Sequence, residues 1–132
     1  MTTKGLSLDE LGEAVIGACI EVHRHLGPGL LESAYEECLC HELSLRGIPF
    51  QRQVPLPVTY KSVRLDAGYR LDLVADGRII LELKACESIP KVARAQLISY
   101  LRLTGLTLGY LINFPAYRLA EGIQRIVLNH PD

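Results

Sequence analysis

Apolar residues recur at helical spacing near the start of the chain. Leu8, Leu11, Val15, Ala18, Cys19, Val22 and Leu26 trace one face of a helix. Ser7 precedes it as N-cap, with Glu10 three residues on, which makes a capping box. Gly27-Pro28-Gly29 stops it. A second helix is predicted over 30–46, with Leu31, Tyr35, Cys38, Leu39 and Leu43 on its apolar face and Gly47 closing it. The period then changes to two. Residues 50–58 alternate but include Pro55 and Pro57, which suits an edge strand. A short strand is expected over 63–65. Strands over 69–74 and 79–85 flank Ala75-Asp76-Gly77-Arg78, a hairpin signal. Pro90 opens a third helix that carries Val92, Ala95, Gln96, Ser99, Tyr100 and Leu103 and ends at Gly105. Residues 108–114 form a nearly continuous apolar run, the mark of a buried strand. A last short strand is expected over 123–128.

This order predicts an α/β fold with helices around a mixed sheet. The strands over 63–85 should be antiparallel, and the third helix allows the 108–114 strand to lie parallel to a central one. The chain has 132 residues, which fits one domain with one core over 1–132. No apolar run reaches membrane-spanning length. Met1 to Gly5 carries no apolar leader core, so a cytoplasmic protein is expected. None of Cys19, Cys38, Cys40 and Cys86 forms a CxxC pair, so they read as free, packed thiols. The histidines read as solvated or packed.

Two charges interrupt the most apolar stretch. Glu82 and Lys84 stand two apart on a strand that otherwise reads as buried, so they share a face. Burying charge is costly unless it is paired or binds metal. Whether Asp72, on the preceding strand, joins them depends on the hairpin. A two-residue Asp76-Gly77 turn would pair Asp72 with Leu81 and turn it away. A three-residue loop, Ala75-Asp76-Gly77, would pair Asp72 with Ile80 and put all three on one face. Gly77 in a left-handed conformation favours an odd loop or a bulge. Two carboxylates and a main-chain carbonyl so arranged are good ligands for Mg²⁺. The ion would polarise a phosphoryl oxygen and activate a water. Lys84 would stabilise the charge that develops.

Asp72 followed by Glu82-Leu83-Lys84 resembles the D…(D/E)xK signature of the PD-(D/E)xK nuclease superfamily. Gly29-Leu30-Leu31-Glu32-Ser33-Ala34-Tyr35 resembles the motif of its GxxExxY branch. Gln96-Leu97-Ile98-Ser99-Tyr100 is similar to the QxxxY motif of exonuclease-like members. The resemblance spans about residues 7–128 and lacks the proline before the aspartate, where Leu71 stands. It implies the restriction-endonuclease-like fold and a nuclease that acts on DNA with Mg²⁺, or Mn²⁺. Asp72 and Glu82 would be the main metal ligands, and Glu32 would reach the metal directly or through water. Lys84 would be the catalytic lysine, and Gln96 and Tyr100 would contact substrate. By analogy, a homodimer would span a duplex.

The net charge is −1, with no basic tail or stripe, which argues against tight binding to duplex phosphates. That balance keeps two other functions in view: an interaction module with the same fold that acts through a partner, and a hydrolase of smaller phosphoesters. Loss of activity in Glu82→Ala or Lys84→Ala with the fold intact would exclude the module.

Overall fold

The computed structural model describes residues 3–115 and 118–130. Met1 and Thr2, part of the segment read above as lacking a leader, lie outside them. Helix α1 (Leu8–Leu26) starts at the expected capping box: the Glu10 amide donates to Ser7 Oγ at 3.1 Å, and Glu10 Oε1 accepts from the Ser7 amide at 2.8 Å. Helix α2 (Glu32–Leu45) begins one residue after Leu31. Leu31 therefore lies outside the helix and is 77% exposed, not part of its apolar face. Tyr35, Leu39 and Leu43 do form that face. All four cysteines are free; Cys19 and Cys40 are buried, and Cys38 and Cys86 partly so.

Five strands follow in the order β1-β2-β3-β4-β5: β1 (Phe50–Tyr60), β2 (Val63–Ala75), β3 (Ile79–Lys84), β4 (Leu108–Asn113) and β5 (Ile123–Val127). Helix α3 (Lys91–Thr104) connects β3 to β4, which pair in parallel; the other neighbours are antiparallel. This matches the mixed α/β sheet expected. The segment at 63–65 is not a separate strand. It continues into β2, because Lys61 and Ser62 both take left-handed conformations (φ 48° and 72°) and turn the chain back on β1 in two residues.

Helices α1 and α2 cover one face of the sheet, against Leu73, Ala75, Ile79, Leu81, Leu83 and Tyr110. Helix α3 covers the other, against Val74, Ile80, Leu111 and Ile126. It does so through Ala93, Leu97 and Leu101. The stripe that contains Val92 and Leu103 faces outward instead, at 59% and 40% exposure. Gly109 decides between the stripes: a Cβ there would sit 3.0 Å from Leu97 Cδ1 and 3.3 Å from the Ile80 carbonyl oxygen, so glycine allows α3 to lie close at Leu97.

Candidate active site

The hairpin between β2 and β3 fixes the site. Ala75 pairs with Ile79, Val74 with Ile80 and Leu73 with Leu81. The connection is thus a three-residue loop, as an odd loop requires, but its residues are Asp76-Gly77-Arg78, one position later than Ala75-Asp76-Gly77. Asp76 and Gly77 both have positive φ (53° and 64°). The pairing shifts by two residues from the expected one, so Asp72 comes level with Glu82 rather than Ile80.

There the ladder stops. β2 has 13 residues, yet only its last three pair with β3. Beyond Leu73, β2 leaves β3 and stays with β1. The two carboxylates fill the split by taking over the missing backbone partners: the Asp72 amide donates to Glu82 Oε2 at 2.8 Å, and the Leu83 amide donates to Asp72 Oδ2 at 2.8 Å. Each carboxylate is so fixed through one oxygen. On β3, Leu81 and Leu83 point to the α1/α2 core, so Glu82 and Lys84 share the opposite side.

Burial of two like charges sets the electrostatics. Glu82 is 7% exposed. Burial first, and the Asp72 charge second, push its carboxyl up to about 8. The Asp72 carboxyl is also raised, by burial above all, while the Leu83 amide and Lys84 pull it down. Lys84 opposes the rise at Asp72, Glu82 and Glu32 alike. Glu32 sits at the first turn of α2. The residue is exposed as a whole, but partial shielding of its carboxyl and then the Asp72 charge raise it. Tyr100 approaches from α3; burial and next the Glu82 charge hold its hydroxyl above the usual range. The structure thus brings Glu32, Asp72, Glu82, Lys84 and Tyr100 to one split. Gln96 is exposed one turn before Tyr100 and lines an adjoining groove of about 360 Å³ with Tyr69, Val92, Ser99 and Leu103.

The fold is that of a known family. A family model described as the PD-(D/E)XK nuclease superfamily matches residues 9–126. The chain belongs to the PD-(D/E)XK nuclease superfamily. No curated protein and no solved structure gives a match. Members of this superfamily are generally nucleases and typically use divalent metals. The donor set here suits such an ion: hard carboxylate oxygens, crowded with like charge. Among the described residues, no three His, Cys, Asp or Glu side chains gather into a ready-made cage. A carboxylate pair is nonetheless what Mg²⁺ takes when water and substrate phosphate complete its shell.

Several further residues support the site. Tyr35 is a core aromatic, stacked on Phe114 with centroids 4.3 Å apart. Its hydroxyl donates to the Gly27 carbonyl at 2.6 Å and accepts from the Leu30 amide at 3.1 Å. It thereby pins the turn that delivers Glu32, which explains a Tyr three residues after that Glu. Asn113, 6% exposed at the end of β4, donates to the Cys86 carbonyl at 2.9 Å and accepts from the Cys86 amide at 3.2 Å. It extends the sheet just past Lys84. A polar residue at the end of the apolar 108–114 run was the available signal, by the logic that singled out Glu82. Glu36, one turn after Glu32, is buried and bonded to Arg52 and Gln53. Tyr69 meets Tyr100 at a tilt, centroids 6.1 Å apart and planes inclined by 59°.

Proposed function

We propose that this protein is a Mg²⁺- or Mn²⁺-dependent nuclease of the GxxExxY branch that hydrolyses phosphodiester bonds in DNA. The observation that carries the reading is the facing pair, Asp72 and Glu82, each held by the other strand's backbone, with Lys84 two residues on. Asp72 and Glu82 would hold the ion, and Glu32 would reach it directly or through water. When bound, the ion supplies Lewis-acid polarisation of a phosphoryl oxygen and a more acidic water. Lys84 places a fixed positive charge beside the phosphoryl group and stabilises the negative charge that builds up there. Tyr100 and Gln96 orient the substrate strand from α3. The groove walled by Tyr69 and Tyr100 gives bases an aromatic surface, which suits single-stranded or frayed ends for a chain with little positive charge. Reduced thiols fit a cytoplasmic setting, and no helix among the described residues is long and apolar enough to cross a membrane.

The test is calorimetric titration of Mg²⁺ and Mn²⁺ into the wild type and Glu82→Gln, beside cleavage assays on single-stranded, duplex and branched DNA. Metal binding and cleavage that the variant loses support the reading. A wild type that binds no ion, with or without DNA, and cuts nothing would sink it.

A further inference from the structure

The β1–β2 ribbon exchanges its two faces at the point where Asp72 stands. In β1, Phe50 packs with the α1/α2 core, whereas Val54 and Leu56 pack with the α3 core. These positions are separated by even steps, so an unbroken pleat would keep them on one side. β2 does the same: Leu73 and Ala75 belong to the α1/α2 core and Leu71 to the α3 core. No residue is inserted, because Arg52 pairs with Leu73 and Val54 with Leu71 in one continuous register. The turnover therefore happens at the one position between them, where Gln53 stands opposite Asp72 and the ladder skips a pair.

Its cause lies in Gln53, whose φ is 49°. That is the left-handed region, which disfavours any residue with a Cβ and a β-branched one most. Two consequences are visible. Arg52 and Gln53 are adjacent and would point to opposite faces of a regular strand, yet both reach Glu36 on α2. Arg52 Nη2 donates to it at 2.7 Å and Gln53 Nε2 at 2.9 Å. Asp72, at the crossing, turns its carboxylate edgewise into the split, where the Leu83 amide bonds it. The Glu36 carboxylate is buried and neutralised by Arg52, so it offers Gln53 a fixed acceptor that favours the left-handed state.

We propose that Gln53 is a positioning residue: its left-handed backbone, held by Glu36 and Arg52, inverts the ribbon and aims Asp72 at Glu82. The proposal rests on the nuclease reading for what Asp72 does, though not for where Asp72 points.

Glycine and asparagine tolerate this backbone, and valine does not. The experiment compares Gln53→Gly, Gln53→Asn and Gln53→Val in two measurements. The first is the amide resonance of Leu83 in ¹⁵N-labelled, metal-free protein, which reports the bond to Asp72. The second is Mn²⁺ affinity by calorimetry, since a misplaced ligand support costs about tenfold or more. Gln53→Gly and Gln53→Asn should keep the Leu83 resonance and an affinity within about twofold of wild type, while Gln53→Val shifts the resonance and loses about tenfold. If Gln53→Val does not fold, Gln53→Ala should show the same ordering against Gln53→Gly. An unmoved Leu83 amide in Gln53→Val overturns the proposal. So do equal losses in the glycine and valine variants, which would assign the role to the side-chain bond alone. A wild type without Mn²⁺ affinity would defeat the nuclease reading, and the Leu83 amide would still decide this one.

Discussion

Glu82 carries two burdens that act in the same direction, burial and closeness to Asp72, and both favour its protonated form. Its carboxyl ionises near 4.5 in an unfolded chain and near 8 in the metal-free fold. Below pH 4.5 both states hold the proton. Between the two values the unfolded chain releases it while the fold retains it, so stability falls as pH rises. Thermal melts of metal-free wild type should lose Tm across that window, and Glu82→Gln should lose less. Mn²⁺ should restore the wild type at the alkaline end; an identical pH profile for both proteins would refute the assignment. Lys84 gives a second prediction. Removing a cation from beside the carboxylates should leave Mn²⁺ binding in Lys84→Ala as tight as in wild type or tighter. Loss of its charge at the phosphoryl group should nonetheless lower kcat by about 10²- to 10³-fold. Both residues were legible in the sequence because each breaks an apolar strand, and buried charge needs a reason. Gln53 was not legible, since nothing local announces a left-handed glutamine; its conformation is set by Glu36, 17 residues earlier in the chain.

Among the elements, β3 carries Glu82 and Lys84, and Asn113 holds its exit in place. In Asn113→Ala the Cys86 amide and carbonyl lose their partners next to a buried strand end. Urea denaturation should register a loss of about 1–3 kcal/mol, with kcat falling because Lys84 lies two residues before the loosened segment. Tyr35→Phe should cost about 1 kcal/mol through its lost hydrogen bonds while Mn²⁺ binding survives, since the stack on Phe114 remains. Helix positions were readable at this scale: α1 has the bounds its caps and period dictate. The face of α3 was harder. It has two stripes at helical spacing, and the larger residues lie on the one that borders the cleft. The choice between them depends on Gly109, on another element, which no periodicity within α3 can reveal. The hairpin was legible as to parity but not position, because Asp76 and Gly77 can both adopt positive φ and either placement of a three-residue loop satisfies them.

For the molecule as a whole, a net charge of −1 sets how it should meet a polyanion. Few phosphate contacts release few counterions, so affinity for a short single strand should depend weakly on salt, with a log–log slope no steeper than about −2. Fluorescence anisotropy with Ca²⁺ in place of Mg²⁺ can measure it. A slope several times steeper would mean that a basic surface, rather than the aromatic groove, dominates binding. The sheet has a further property that follows from the early departure of β2 from β3. Residues 63–70 are all exposed, and this stretch of β2 is paired only with β1. Beyond Tyr69, which still meets Tyr100 of α3, the stretch behaves as an arm whose tip, Lys61-Ser62, belongs to neither core. Its length is therefore decoupled from the placement of Asp72 at its root. A peptide tag placed at the tip adds little more than loop-closure entropy, about 0.6 kcal/mol for each doubling of the loop. The arm is where this chain can acquire new sequence without moving Asp72.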